Sequence, residues 1–242
     1  MKKLIVLNAG LSTPSTTRML AEEITGAVEA QVSKRGDGLE TTYLDLRDYA
    51  TDLAAMMTTG IPSPALKDAH DRISAADGLV AATPVFTASY SGLFKMFMDT
   101  LDTDSLNGMP VLIAATAGTP RHALVLDFAL RPLFTYLRAT VMPTGIFAAT
   151  QDFGAQTDLT RRINRAASEL AGYLVQESGA VEGFGPDLGD SAHSAHSAHT
   201  TRTSGTTVDA DVTDFRVLLQ GHDGSSSPAI TDITPAHAHR IG

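Results

Sequence analysis

A loop rich in hydroxyl groups follows the first apolar run of the chain. Residues 4–7 lead through Asn8 into Gly10, and hydroxyl side chains then surround Pro14: Ser12, Thr13, Ser15, Thr16 and Thr17. A helical pattern of apolar residues begins directly afterwards. Backbone N–H groups and hydroxyl groups at the start of a helix can bind a phosphate. A capped helix without a ligand is the alternative, because Ser and Thr are also preferred N-caps.

The composition of this loop narrows the kinds of phosphate ligand. Gly10 is its single glycine, so the dinucleotide fingerprint G-x-G-x-x-G is absent, and no Gly-Lys-Ser/Thr sequence of a Walker A loop follows. Residues 10–17 contain no Lys or Arg. A cup lined by hydroxyl groups suits a terminal monophosphate such as that of FMN. Arg18 either adds charge to this site or lies on the surface.

Two further loops carry apolar and small residues that suit a flat aromatic ring. One follows the apolar run 78–83 and comprises Pro84, Val85, Phe86, Thr87 and Ala88. The other follows residues 110–115 and comprises Thr116, Ala117, Gly118 and Thr119. Ligands of open parallel sheets bind at the C-terminal ends of strands, where the strand order reverses. The three loops together therefore predict an FMN site.

The order of strand and helix patterns predicts a doubly wound α/β fold. Short apolar runs predict five strands, and helical patterns of apolar residues lie between them; the strands are 4–8, 40–44, 78–83, 110–116 and 141–149. Right-handed crossovers place helices on both faces of one parallel sheet. Five strands suit the flavodoxin-like order 2-1-3-4-5. We expect this domain to span residues 1–178.

The sequence beyond residue 178 has a different composition. Residues 179–242 are rich in Ser, Thr, Gly and His, which predicts a low-complexity and largely disordered extension. Residues 208–220 have apolar side chains at helical spacing, which predicts a short helix docked on its own domain or an acidic docking element for another protein. His193, His196 and His199 have a spacing that can bind Zn or Ni, but a repeat of Ala and Ser favours a solvated tail.

The charge and composition disfavour several classes of protein. The net charge of −9 disfavours nucleic acid and anionic membranes as partners. The chain has no Cys, which excludes disulfides and thiolate chemistry. No apolar run reaches the roughly 20 residues of a membrane helix. We therefore expect a cytoplasmic protein.

Taken together, these motifs resemble the NAD(P)H-dependent FMN reductases of the flavodoxin-like superfamily. The resemblance is carried by residues 10–15, by 83–86 with 90–95, and by 116–119 followed by 127–132. It covers about residues 1–178. The chain is most similar to the group that supplies reduced flavin to two-component monooxygenases, including luciferase-like ones. The resemblance implies FMN and NADPH or NADH as cofactors, and a transient monooxygenase partner.

The resemblance also implies a role for each loop. The first loop would hold the FMN phosphate through Gly10, Leu11, Ser12, Ser15, Thr16 and Thr17. The second loop would line the ring, and the third would approach its other edge. Many members carry an Arg in the phosphate loop, so its absence here implies loosely held flavin. FMN sites of the family are completed by a neighbouring subunit, and the apolar segment 127–137 predicts such a contact in a homodimer or homotetramer.

Other polar residues are expected to play smaller parts. Lys95 and Asp99 are predicted to form a surface or interface pair, and no catalytic side chain is predicted. Arg121 and His122 either contact the phosphate of the nicotinamide nucleotide or are surface residues at the start of a helix. Two alternative functions are an FMN-bound reductase of quinones, azo dyes or metal ions, and a flavodoxin-type electron carrier. The absence of Trp disfavours the carrier.

Overall fold

A parallel β-sheet forms the centre of the molecule in the computed structural model, which describes residues 1–154, 158–175 and 202–205. All of these residues belong to one compact unit, Met1–Thr207. The strands are β1 (Lys2–Asn8), β2 (Leu39–Asp45), β3 (Gly78–Phe86), β4 (Ser89–Tyr90), β5 (Pro110–Ala117), β6 (Thr140–Val141) and β7 (Ile146–Ala149). The order β2-β1-β3-β5-β6 is parallel throughout and confirms the predicted flavodoxin-like arrangement.

Helices cover both faces of this sheet. They are α1 (Thr16–Ser33), α2 (Ala50–Thr59), α3 (Pro64–Ser74), α4 (Gly92–Thr100), α5 (Arg131–Tyr136) and α6 (Asp158–Leu174). Side chains alternate along β1, so Leu4 and Val6 pack in the apolar cluster that contains α1 and α6. Ile5 and Leu7 pack on the opposite face, in the cluster that contains the buried residues of α2 to α5.

The fifth predicted strand, 141–149, is wrong as one continuous element. The structure has two short strands there, β6 and β7, and both pair with β5. Pro143 has no N–H group to continue a ladder. The carbonyl groups of Met142 and Pro143 instead accept hydrogen bonds from Arg131, both at 3.1 Å. The two strands together hold the fifth position, and β4 forms a hairpin with β3, so the sheet has seven strands.

The segment between β5 and β6 is not one continuous α-helix. It contains a 3-10 turn at Pro120–His122, a π-helix at Leu126–Leu130 and then the short α5. Three helix geometries in succession explain why its apolar side chains spread around the axis. Phe128, within the π-helix, is 77% exposed, whereas Phe134 in α5 is fully buried.

Four residues of the C-terminal extension lie against the domain. Arg202 donates hydrogen bonds to the carbonyl oxygens of Ala76 and Asn107, and the hydroxyl of Ser105 donates to the carbonyl oxygen of Thr203. Burial lowers the pKa of Arg202, which Asp77 partly opposes. The three spaced histidines and the predicted helix 208–220 lie outside the described residues. No helix within the described ranges has the length and apolar character needed to cross a bilayer.

His70 is a buried polar residue in the layer of helices opposite α1. Thr100 donates its hydroxyl hydrogen to the carbonyl oxygen of Phe97, so the Thr100 oxygen accepts the Nε2–H of His70 at 3.1 Å. The imidazole also meets the ring of Phe97 edge-on at 5.7 Å. Burial lowers the pKa of His70 below its ordinary value, and the nearby Asp71 opposes this only in part. The folded protein therefore holds a neutral imidazole.

We predict that His70 makes the domain less stable in mild acid. Its folded pKa is depressed, so the unfolded chain binds a proton more readily, and stability falls as the pH decreases through the ordinary value of about 6.5. Thermal unfolding between about pH 7.5 and pH 5.5 should show a smaller loss of Tm in His70→Gln than in the wild type. His122→Gln is the matched control, and equal losses in all three proteins would contradict the prediction.

Candidate active site

The first loop is held in place by the end of β1. The Asn8 side chain accepts a hydrogen bond from the Gly10 N–H at 3.1 Å and donates another to Asp45 at 2.7 Å. A Cβ atom on Gly10 would lie 2.0 Å from the Oγ of Ser15. That hydroxyl cannot move freely, because it caps α1 by accepting the N–H of Arg18 at 3.2 Å. Only glycine fits this close approach.

The three predicted loops meet around one cleft of about 310 Å³ at the C-terminal ends of β1, β3 and β5. This volume is at the lower end of the range of ligand pockets. Exposed hydroxyl groups and the start of α1 form one part of the wall, and apolar or small residues form the rest. The lining residues are Gly10, Leu11, Ser12, Ser15, Thr16, Thr17, Pro84, Val85, Phe86, Thr116, Ala117, Gly118, Thr150 and Phe153.

Thr150 and Phe153 are lining residues that the sequence analysis did not predict. They belong to the 3-10 turn Thr150–Gly154, directly after β7. The predicted fifth strand ended at Ala149, so its following turn had to reach the same edge of the sheet. That position was the available signal, although the residue types alone gave none.

Thr87, Ala88 and Thr119 do not line this cleft. Thr87 and Ala88 form the tip of the β3–β4 hairpin, with φ of 47° and 65°. Both residues lie in the left-handed region, as a two-residue type I′ hairpin requires, although a β-branched residue such as Thr87 is unusual there. Ala88 instead lines a neighbouring recess of about 390 Å³.

The predicted nicotinamide residues line that neighbouring recess. Arg121 and His122 lie there with Ala88 and Ser89 of the hairpin tip, and Leu124 and Phe128 form apolar parts of its wall. The hairpin therefore contributes Phe86 to the cleft and its tip to the recess. A basic pair is thus placed beside the cleft and outside it.

A buried hydrogen bond joins the first loop region to the third. The hydroxyl groups of Thr17 and Thr116 lie 2.7 Å apart, and the two side chains are 2% and 4% exposed. This contact fixes the start of α1 against the end of β5. The Thr17 hydroxyl has a partner within the protein, which leaves Ser12, Ser15 and Thr16 as the more accessible hydroxyl groups of the loop.

Arg18 points away from the cleft towards the edge strand β2. Its guanidinium donates to Glu22 and to Asp45, each at 2.7 Å, and lies 3.8 Å from the centre of the Tyr43 ring. Burial opposes its charge, but the hydrogen bonds to Glu22 and Asp45 outweigh burial and raise its pKa. The positive charge of Arg18 is therefore balanced by two carboxylates.

Lys95 and Asp99 form the ion pair that the sequence predicted. The ammonium group of Lys95 contacts both carboxylate oxygens of Asp99, at 2.5 and 2.7 Å. Both side chains are about two-fifths exposed, at 41% and 39%. The hydrogen bond to Asp99 raises the pKa of Lys95. The pair is a solvated one on α4, and neither residue lines the cleft.

The fold defines an α/β protein of flavodoxin-like architecture, with a cleft at the C-terminal ends of β1, β3 and β5. The model of the NADPH-dependent FMN reductase family matches residues 2–154. An FMN reductase (NADPH) of Pseudomonas aeruginosa is 36% identical over 175 residues, which cover 70% of this chain and 90% of that one. An NADH-dependent FMN reductase of Pseudomonas fluorescens, SfnF, is 34% identical with the same coverage of both chains.

Solved structures agree with these sequence relatives. An oxidoreductase from Corynebacterium diphtheriae shares 56% identity with this chain and superposes with a TM-score of 0.72. The alignment covers 74% of this chain and 99% of that one. The chain therefore belongs to the NADPH-dependent FMN reductase family. It is an oxidoreductase whose cofactors are FMN and a reduced nicotinamide.

We predict that Ser15→Asp weakens FMN binding without loss of the fold. Asp is as good an N-cap as Ser, so α1 keeps its first turn. A carboxylate at this position repels a phosphate dianion, and we expect the FMN KM to rise more than about tenfold. Steady-state kinetics with varied FMN, together with thermal melting, measure both effects.

Ser63→Asp is the matched control, because Ser63 caps α3 in the same way by accepting the Leu66 N–H at 3.1 Å and does not line the cleft. Its FMN KM should stay within about twofold of the wild-type value. An unchanged FMN KM in Ser15→Asp would contradict the assignment of the FMN phosphate to the first loop.

Proposed function

We propose that this protein transfers hydride from NADPH or NADH to FMN and releases the reduced FMN to a flavin-dependent monooxygenase. The observation that carries the proposal is the cleft at the ends of β1, β3 and β5, which combines a hydroxyl-lined helix start with an apolar wall. A phosphate and a flat ring need these two kinds of surface at neighbouring positions. The family membership supports the same pair of cofactors.

The residues of the first loop fit an FMN phosphate. Ser12, Ser15 and Thr16 offer hydroxyl groups beside the free N–H groups at the start of α1. Two hydrogen bonds, from the Gly10 N–H to the Asn8 side chain and from the Arg18 N–H to the Ser15 hydroxyl, hold the two ends of this loop. A preorganised loop lowers the entropy that binding has to offset.

The residues of the second and third loops fit an isoalloxazine ring. Val85 and Phe86 present apolar surface to the cleft, and Phe86 is 48% exposed. Nothing lies within 4 Å of the position that a Cβ on Gly118 would take, so a planar group can approach the backbone of the third loop from that side. Backbone N–H groups there can point at the polar edge of the ring.

With FMN and a reduced nicotinamide bound, hydride transfer between them would be chemistry of the cofactors and would need no acid or base from the protein. The cleft agrees with this, because none of its lining residues within the described part of the chain has an ionisable side chain. The protein binds and orients the two planar groups and excludes water between them. Arg121 and His122 in the adjoining recess are suited to hold a nicotinamide phosphate.

Release of reduced FMN is supported by the weak charge of the phosphate loop. Residues 10–17 contain no cation, and Arg18 is balanced by Glu22 and Asp45. A phosphate held mainly by neutral donors is bound less tightly than one held by charged donors. Loose binding suits a flavin that acts as a substrate and is delivered to another enzyme. The cytoplasmic location of that exchange stays a prediction.

Turnover with free flavin tests the proposal. The rate of NADPH or NADH oxidation should rise with added FMN and then saturate. Under anaerobic conditions, reduced FMN should pass through an ultrafiltration membrane that retains the protein. Turnover that requires only a quinone would favour a reductase with bound FMN, and a protein that oxidises neither nicotinamide would favour an electron carrier.

We also propose that the helical segment between β5 and β6 forms a contact between copies of this chain. Leu124, Phe128 and Tyr136 are 65%, 77% and 74% exposed, although all three are large apolar or aromatic residues. Leu124 and Phe128 line one recess, and large exposed apolar side chains that lie together usually mark an interaction surface. It adjoins the recess of Arg121 and His122, so a second copy would enclose the nicotinamide side of the site.

We expect sedimentation at micromolar concentration to show a dimer or tetramer. Phe128→Asp should shift the protein towards the monomer by placing a charge in the contact. Ile61→Asp is the matched control, because Ile61 is 72% exposed on the loop after α2 and lies outside the proposed contact. A monomeric wild-type protein would contradict the proposed contact.

A further inference from the structure

A second arginine reaches the phosphate loop from the neighbouring strand. Arg47 lies in the 3-10 turn Leu46–Tyr49, directly after the edge strand β2. Its Nη1 donates a hydrogen bond of 2.7 Å to the hydroxyl of Thr13, which is 34 residues away in the sequence. Thr13 belongs to the same loop as Ser12 and Ser15, which line the cleft. The register of β1 and β2 causes this meeting, because Asn8 pairs with Asp45 at the ends of both strands.

The guanidinium of Arg47 keeps most of its capacity to bind an anion. Its contact with the Asp48 carboxylate is long, at 3.8 Å, and the two side chains are 48% and 71% exposed. The hydrogen bond to Thr13 uses one of the five N–H donors of the group. Arg18 differs, since two carboxylates at 2.7 Å already balance its charge. Of these two arginines beside the first loop, Arg47 is the one whose positive charge is less compensated by carboxylates.

We propose that Arg47 supplies the positive charge for a phosphate monoester seated at the start of α1 and thereby sets the preference for FMN over riboflavin. The inference rests on the proposed FMN site. Arg47 approaches from the β2 side, so it takes the place of the cation that the loop itself lacks. Its planar fork matches the geometry of phosphate oxygens, and its exposure keeps the added affinity modest. A modest gain agrees with a flavin that binds and leaves in each cycle.

The same chemistry could serve a second phosphate monoester, the 2′-phosphate of NADPH. The placement favours FMN, because Thr13 lies in the loop that contributes hydroxyl groups to the cleft. The basic pair Arg121 and His122 lies in the recess on the side of the third loop and is the separate candidate for the nicotinamide nucleotide. The two assignments predict different changes when Arg47 is replaced.

Flavin binding tests the inference without turnover. Quenching of flavin fluorescence gives the Kd of FMN and of riboflavin for the wild type, Arg47→Gln and Arg35→Gln. Arg35 is the matched control, because it lies beyond the far end of α1 and bonds to Gln31 and Ser168. We expect Arg47→Gln to raise the Kd of FMN about three- to tenfold and to leave that of riboflavin unchanged. Arg35→Gln should change neither value.

Two further measurements, at high salt and with a conservative variant, test whether the charge of Arg47 causes the preference for FMN. The difference between wild type and Arg47→Gln should shrink at high salt, since an exposed charge is screened. Arg47→Lys should keep part of the preference for FMN, because it retains the charge and loses the planar fork. Far-ultraviolet circular dichroism and thermal melting show that each variant is folded. A loss of riboflavin binding equal to that of FMN would overturn the inference, because it would show a structural role.

The remaining outcomes separate the two possible sources of phosphate and the two proposals. Arg47→Gln could leave the Kd of FMN unchanged and abolish the preference for NADPH over NADH. This result would show that Arg47 binds the nicotinamide nucleotide and would overturn its assignment to FMN. A wild type that binds FMN no more tightly than Arg47→Gln does would refute the role of Arg47 and leave the FMN site intact. A wild type that binds no FMN would refute the proposed function, and the inference with it.

Discussion

The hydrogen bonds of the Asn8 side chain connect the end of β1 to the cleft. This amide lies at the end of β1, is 2% exposed, and bonds at once to Asp45 of the neighbouring strand and to the N–H of Gly10. Without it, the turn from β1 into α1 would lose a buried acceptor and its fixed direction. The contact between Gly10 and Ser15 and the capped start of α1 both depend on that turn.

The register of β1 and β2 gives two arginines, Arg18 and Arg47, different partners. Asp45, held by Asn8, also accepts the guanidinium of Arg18 and thus draws that charge away from the loop. Arg47, two residues further along the chain, extends past the end of β2 and reaches Thr13 instead. Asp45, at the end of the edge strand, therefore compensates the charge of Arg18 and leaves Arg47 as the less compensated cation near the first loop. The result is an exposed arginine beside the first loop whose contact with a carboxylate, that of Asp48, is long at 3.8 Å.

The part of the site furthest from β1 is built from less regular structure. A left-handed hairpin tip, a π-helix and a broken fifth strand surround the recess or adjoin the cleft. Each has a local cause, such as the missing N–H of Pro143 or the two-residue turn at Thr87 and Ala88. These departures expose Phe86 and Phe128, the aromatic residues suited to contact a ring or a second copy of the chain.

The sequence by itself determined the fold class, the order of the strands and most of the cleft. Apolar runs buried on both faces specify a parallel sheet, and such a sheet brings the loops after β1, β3 and β5 to one edge. The order of residues alone therefore assigns Gly10, Ser15 and Gly118 to one cleft, although they lie in different loops. The pattern of apolar residues along a strand and the residue types of a loop are local properties, so both can be read directly from the sequence.

Only the tertiary structure decided which polar groups are free and which are already paired. Thr17 looked like its neighbours in the sequence, yet its hydroxyl bonds to Thr116, 99 residues away. The sequence left open whether Arg18 adds charge to the loop or lies on the surface, and the bond between Arg47 and Thr13 is visible only in the structure. The turn after β7 places Thr150 and Phe153 on the wall of the cleft, where their residue types alone did not predict them. Pairings between distant residues depend on strand register and side-chain packing, which local patterns do not specify.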